Sequence, residues 1–194
     1  MSKRVVILGS GISGVGAAIL AKKKGFDVFI SDSKVIAEKN KSIFLENCIS
    51  WEEGQHTFES IFNADEVIKS PGISDKIDLI QRLKINNIPV ISEIEFASRY
   101  TKAKIVAITG SNGKTTTTLL LGQIFNNAGY DVLVAGNIGV GFAFSIAERD
   151  YDYIVLELSS FQLDGIQEFR SHVAVILNIT PDHLDRYDYK FEDY

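Results

Sequence analysis

The sequence predicts an α/β fold made of two successive parallel-sheet units, on three observations. Twice, at residues 5–19 and 105–128, a short β-branched run passes through a glycine-rich turn into a helix with an apolar face. Each such segment leads to a further apolar run, and strand–helix–strand order over about 30 residues makes the strands lie parallel. The later strands are near-continuously apolar, as strands covered on both faces are.

The first unit opens with Val5-Val6-Ile7-Leu8, which enters the turn Gly9-Ser10-Gly11-Ile12-Ser13-Gly14. A helix follows in which Val15, Ala18 and Ile19 share a face. Gly25 suits the end of that helix, because glycine takes the left-handed cap conformation without a steric penalty. Val28-Phe29-Ile30 is the second strand, closed by Ser31-Asp32-Ser33. After a stretch of weaker periodicity, Val67-Ile68 reads as a strand ending in the turn Ser70-Pro71-Gly72. Residues 77–83 read as a helix, Pro89-Val90-Ile91 as a short strand and residues 93–99 as a helix. Residues 100–103 mark the boundary, so the units span 1–99 and 100–194. The second begins with Ile105-Val106-Ala107-Ile108 and turns through Thr109-Gly110-Ser111-Asn112-Gly113-Lys114-Thr115. Its helix carries Leu121, Ile124, Phe125 and Ala128 at helical spacing, and Gly129 ends it. Strands at 132–135, 154–158 and 173–177 follow. Residues 187–194 hold no capping glycine and no strand closes the second sheet, which reads as truncation.

Composition narrows the function. Of 194 residues, 45% are hydrophobic and 23% charged, enough apolar material for a core and too much for a disordered chain. Twenty Lys and Arg against 25 Asp and Glu give a net charge of −5, the wrong sign for gripping nucleic acid through the overall field. A single cysteine, Cys48, excludes an internal disulfide and reads as a buried thiol. The N-terminus lacks a signal peptide's pattern, and no run approaches the roughly 20 apolar residues of a membrane span. The chain reads as cytoplasmic, with neither membrane nor nucleic acid as a partner.

Two glycine turns carry the chemistry. Gly9-x-Gly11-x-x-Gly14 sits between strand and helix, with Asp32 at the end of the next strand. Glycines there let the backbone approach a diphosphate at a helix N-terminus, but the motif alone does not choose among NAD, FAD and a UDP-sugar. Asp32 could bind ribose or base hydroxyls or cap the following helix. The second turn is similar to a P-loop, with N–H groups of residues 110–114 around phosphates, Lys114 on the outer phosphates and Thr115 on Mg²⁺. It departs from G-x-x-x-x-G-K-[ST] because Ile108 stands where the first glycine belongs. Glu157 ends a strand expected beside the P-loop strand, where it could hold Mg²⁺ or be merely a solvated carboxylate. Ser159, Ser160 and Gln162 extend that polar edge, and His183 follows the next strand. His56 and His172 read as surface or packing residues.

Together with Ser70-Pro71-Gly72-Ile73, Gly136-Asn137-Ile138-Gly139, Glu157-Leu158-Ser159-Ser160-Phe161-Gln162-Leu163 and Asp182-His183-Leu184-Asp185-Arg186-Tyr187, these turns resemble the Mur ligase family over essentially the whole chain. The resemblance implies a Rossmann-like UDP-binding unit followed by the first part of a P-loop ATP-binding unit. It implies ATP-dependent ligation in peptidoglycan precursor synthesis, joining D-glutamate to UDP-N-acetylmuramoyl-L-alanine through an acyl phosphate. By the same resemblance, Ser13 and Gly14 face the diphosphate, Asp32 and Ser33 the uracil end, and Ser70 and Gly72 complete that pocket. Gly110, Ser111, Asn112, Gly113, Lys114, Thr115 and Thr116 bind ATP, with Lys114, Glu157 and His183 as catalytic groups. Thr115 or Thr116 and Glu157 hold one Mg²⁺ and His183 a second, while Asn137, Ser159 and Gln162 touch the muramoyl and diphosphate region. The family's three-domain plan makes this chain an N-terminal fragment, expected to bind the UDP substrate without completing ligation, because D-glutamate contacts belong to the third domain.

Three rivals remain open. Another Mur ligase or a folylpolyglutamate synthase shares the P-loop variant, although the latter lacks a preceding UDP-binding unit. A non-catalytic module could hold NAD on the first turn and ATP on the second. A nucleotide-switch GTPase would carry Asn-Lys-x-Asp, which does not occur.

Overall fold

The structure, a computed structural model, describes residues 2–182, 184–187 and 189–193. The first sheet is assembled from β1 (Arg4–Leu8), β2 (Asp27–Asp32), β3 (Ser50–Glu53), β4 (Glu66–Lys69) and β5 (Val90–Ile91). Between them run α1 (Ile12–Lys23), α2 (Glu38–Glu46), α3 (Phe58–Ile61) and α4 (Asp78–Ile85), and α5 (Glu93–Ser98) follows. The strands pair in parallel in the order β3-β2-β1-β4-β5. The chain therefore winds outward from β1 in both directions, and the crevice at the β1/β4 switch point is where such sheets hold ligands. The glycine turn after β1 and the 70–72 turn after β4 both open there.

The second sheet comprises β6 (Lys104–Thr109), β7 (Val132–Gly136), β8 (Tyr153–Glu157) and β9 (Val173–Ile176), with α6 (Lys114–Asn127), α7 (Phe142–Glu148) and α8 (Ser160–Leu163) between them. Its order is β7-β8-β6-β9, again all parallel. Beta-branched residues in β6 and β8 suit buried positions on a pleated sheet, and Ile108, Ile154 and Val155 are completely covered.

Helix α1 lies between the two sheets, which is why Gly14 to Ala21 are buried without interruption instead of on one face. It packs on β1 and β2 and also along α7 of the second unit. The helices approach closely at Gly16, where an added Cβ would stand 2.8 Å from the Phe144 backbone nitrogen. Val5, Ile7, Ala17 and Leu20 therefore share one apolar cluster with Phe142, Ile146, Ile154 and Leu156.

Three local expectations are corrected. Helix α6 turns Thr118 and Gly122 to the sheet, with the expected Leu121 and Phe125 packed beside them, whereas Ile124 is 53% exposed. The cause is close approach at Gly122, whose position would place a Cβ 2.4 Å from Val134 Cγ2 and so sets the helix rotation. Strand β9 is not covered on both faces, since Val173 and Ile176 are exposed and, among the described residues, it pairs only with β6. Cys48 is exposed, not buried, because it carries a left-handed turn (φ 51°) just beyond α2. Gly25 and Gly129 adopt positive φ after α1 and α6, as a helix stop requires. Among the described residues no helix is long and apolar enough to cross a membrane.

Candidate functional site

The second glycine turn leaves β6 after Thr109 and enters α6 through Gly113, whose φ of 84° needs glycine. Ile108 in place of a first glycine is accounted for: it is a fully buried residue of β6, and the turn begins at Gly110. Gly110 (φ 137°) also lies against the segment after β9, with an added Cβ 2.9 Å from the Asn178 carbonyl oxygen. That segment cradles the turn. Ser111 N–H donates to the Asn178 carbonyl (3.0 Å), Asn112 N–H to Asn178 Oδ1 (2.9 Å) and the Ser111 hydroxyl to the Thr180 carbonyl (2.8 Å). The sequence singles out neither Asn178 nor Thr180, its one signal being their place just after an apolar strand. Lys114 folds over the turn, its Nζ donating to the carbonyls of Gly110 (2.6 Å) and Ser111 (3.0 Å). Thr116 is exposed on the first turn of α6.

Register brings Glu157 beside this turn, because β8 pairs with β6 so that Ile108 faces Glu157. The Glu157 carboxylate, 2% exposed, accepts from the Thr115 hydroxyl (2.7 Å) and the Asn137 amide (3.0 Å). Among the described residues it has no cationic partner. The buried carboxylate and the threonine hydroxyl beside it are hard oxygen donors of the kind that suits a divalent cation. Gly136 lets β7 approach, since a Cβ there would sit 2.2 Å from the Glu157 carbonyl oxygen. Ser159 and Gln162 bind each other, with Ser159 N–H donating to Gln162 Oε1 at 3.0 Å at the start of α8. Gln162 is thereby buried.

The first glycine turn is fixed from β2. Gly9 N–H donates to the Ser31 carbonyl (2.9 Å), and Ser10 gives both its N–H (2.7 Å) and its hydroxyl (2.6 Å) to Asp32 Oδ2. Asp32 thus braces the turn, and it does not cap α2, whose N-cap is Ala37. Burial pushes its carboxyl up, but the hydrogen bonds from Ser10 and Lys34 outweigh this and hold it below the usual range. His56 is half-buried in the same cluster, its Nδ1 2.6 Å from the Ser31 hydroxyl, which also contacts Glu52. Ser33 is exposed beside Asp32, and Ser13 lies in the first turn of α1. Ser70 presses on Gly9, whose position would put a Cβ 2.5 Å from Ser70 Oγ. Gly14 is the least replaceable glycine of the turn, since its Cβ would fall 2.0 Å from the Gly9 carbonyl oxygen. Gly14→Ala is expected to cost about 3 kcal/mol through backbone displacement. Gly11→Ala, with nothing within 4 Å, should cost no more than about 1 kcal/mol. Urea denaturation of both variants checks this, and equal losses would refute it.

The two units meet at a cavity of about 410 Å³. From the second unit Gly110, Ser111, Lys114, Asn137 and Ser159 line it, and from the first Pro71 and Gly72 do. Thr115, Glu157 and Gln162 are not part of this lining, nor are Ser13 and Gly14 of the first turn or Asp32 and Ser33 at the end of β2. His183 lies outside the described residues.

The family description Mur ligase middle domain matches residues 108–194, and MurD N-terminal domain matches residues 4–79. The chain belongs to the Mur ligase family. Among curated Mur ligase relatives, the UDP-N-acetylmuramoylalanine--D-glutamate ligase of Bacteroides fragilis is 58% identical over 192 residues, covering 99% of this chain and 43% of the relative. The protein of the same name from Christiangramia forsetii is 54% identical, covering 100% and 44%. The chain thus spans less than half the length of these relatives. A solved Mur ligase from Neisseria meningitides, UDP-N-acetylmuramate:L-alanyl-gamma-D-glutamyl-meso-diaminopimelate ligase, superposes with a TM-score of 0.61 at 20% identity, over 96% of this chain and 64% of that one. At that identity it supports the fold, an α/β Mur ligase architecture with parallel sheets.

Proposed function

We propose that this chain belongs to an ATP-dependent ligase of peptidoglycan precursor synthesis, acting in the cytoplasm, that adds D-glutamate to UDP-N-acetylmuramoyl-L-alanine. In this reading residues 1–99 hold the UDP substrate and 100–194 begin the ATP-binding unit. The observation that carries it is one cavity lined both by the P-loop turn, with Lys114, and by Pro71 and Gly72 from the opposite unit. Two ligands bound to separate loops would meet there. The names of the relatives at 54–58% identity supply the amino acid and the nucleotide sugar.

A carboxylate is a poor electrophile, so ligation begins with its phosphorylation to an acyl phosphate, which the amine of D-glutamate then attacks with loss of phosphate. Transfer between two anions needs charge neutralisation and alignment more than covalent help. The N–H groups at the start of α6 and the Lys114 ammonium would bind the ATP phosphates and offset their charge. Thr115 and Glu157 would hold Mg²⁺, which when bound supplies further charge neutralisation. Asn137 and Ser159 would orient the substrate on the facing wall. The role of His183 on a second Mg²⁺ belongs to the same proposal.

Isothermal titration of this chain with UDP-N-acetylmuramoyl-L-alanine, NADH and Mg-ATP tests the reading. The UDP ligand should bind and NADH should not. Lys114→Ala should weaken ATP at least about tenfold, the effect of losing about 1.4 kcal/mol, while leaving the UDP ligand within about twofold. Binding of NADH alone would replace this reading with that of a dinucleotide module.

A further inference from the structure

We propose that Lys69 is a positioning residue for the substrate-side wall of the cavity, holding the 70–75 loop in the shape that presents Pro71 and Gly72. The inference rests on the reading above, that this loop contacts the UDP substrate. Lys69 is the last residue of β4 and lies in register with Leu8, immediately before the glycine turn. It is only 8% exposed, unlike a normal lysine, which is almost never buried unless paired. Its Nζ donates to the Ile73 carbonyl at 2.7 Å and pairs with Asp75 Oδ1 at 2.8 Å. Both partners belong to the loop that Lys69 itself begins, so the ammonium closes the loop from inside.

The closure is extended on both sides. Asp75 Oδ2 binds Lys84 of α4 at 2.9 Å, and the Asp75 carbonyl accepts from Gln81 of the same helix at 2.7 Å. Burial pushes the Asp75 carboxyl up, but Lys69 and Lys84 outweigh that and hold it below the usual range, so it remains a charged partner. At the loop's other end Ser70 N–H donates to the Leu8 carbonyl (3.0 Å) while its side chain leans on Gly9. Lys69 thereby ties the wall of the cavity to α4, and Ser70 ties it to the glycine turn. An apolar residue would fill the end of β4 equally well, but could not hold Ile73 and Asp75 together.

The test is isothermal titration of UDP-N-acetylmuramoyl-L-alanine into wild-type chain, Lys69→Met, Asp75→Asn, the double variant and Val67→Ala. The last removes methyls from a fully buried β4 residue and lowers stability without touching the loop. A positioning role predicts that Lys69→Met weakens binding at least tenfold and Asp75→Asn at least threefold. The double variant should be no worse than Lys69→Met, because the two residues act as a unit. Val67→Ala should stay within twofold. If the wild type binds and Lys69→Met stays within twofold, or weakens binding no more than Val67→Ala does, the positioning role is overturned while the substrate reading stands. If the wild type itself does not bind, that reading fails and the role falls with it. Should Lys69→Met not fold, the nearly isosteric Asp75→Asn decides: threefold weakening supports the role and unchanged affinity refutes it.

Discussion

Glu95→Ala is expected to destabilise the protein by about 3 kcal/mol and to free the backbone at residues 167–169 to exchange its amide hydrogens. Glu95 is 1% exposed on α5, yet its Oε2 accepts the N–H groups of Gln167 (3.0 Å), Glu168 (3.0 Å) and Phe169 (2.9 Å). Burial pushes the carboxyl up, but these three bonds and Arg99 prevail and hold it below the usual range. Hydrogen bonds to a charged group contribute about 1.5 to 3 kcal/mol each, and part of that loss is recovered when the freed N–H groups turn to water. Urea denaturation gives the total, and hydrogen exchange localises it, since a local opening shows at 167–169 first. A loss under about 1 kcal/mol with unchanged exchange would show that the carboxylate is not the anchor.

Its neighbour Glu93 has the opposite character and should make stability depend on pH. Glu93 is 3% exposed and accepts a hydrogen bond from Ala143 N–H, 2.5 Å away at the start of α7. Burial dominates over that bond and pushes the carboxyl up to about 7. The charged groups on the elements packed around it are engaged elsewhere: Lys23 with Glu148, and Arg99 with Glu66 and Glu95. With the folded value above the unfolded one near 4.5, the native state holds a proton that the unfolded chain releases. The resulting stability is present in full below about pH 4.5 and is lost as pH rises through about 7, a change of about 3 kcal/mol. Glu93→Gln keeps an acceptor for Ala143 without a charge. The difference in stability between variant and wild type should therefore be near zero at pH 4.5 and favour the variant by about 3 kcal/mol at pH 8. A difference that stays flat across that range in denaturation experiments would refute the assignment.

Sequence alone made the two glycine turns, the parallel order and the meeting of Glu157 with the P-loop turn legible. Each of these depends on residues near one another in the chain, or on strand pairing that follows from the βαβ rule. Glu93 and Glu95 were invisible for the converse reason. In Glu93-Ile94-Glu95-Phe96 nothing local sets the acids apart from solvated carboxylates, and their partners lie 50 and 72 to 74 residues away. The face of α6 is legible at Leu121 and Phe125, which pack on the sheet, but not at Ile124, because Gly122, which contributes nothing to an apolar stripe, is where the helix touches Val134. The Asn178 and Thr180 cradle escaped since short polar residues after a strand look like any loop. Residue type alone makes Cys48 look buried, whereas its left-handed backbone places it in an exposed turn.

The apolar cluster shared by both sheets alters what it means for a ligand to bind either glycine turn. Because Ala17 and Leu20 of one unit are shielded by Phe142 and Ile146 of the other, neither sheet can lose its structure without stripping cover from its neighbour. Free energy gained by occupancy at one turn, RT ln(1 + [L]/Kd), is then felt by the fold as a whole. A nucleotide sugar held by the first sheet would in this way protect the P-loop of the second, and a nucleotide on the P-loop would return the same protection.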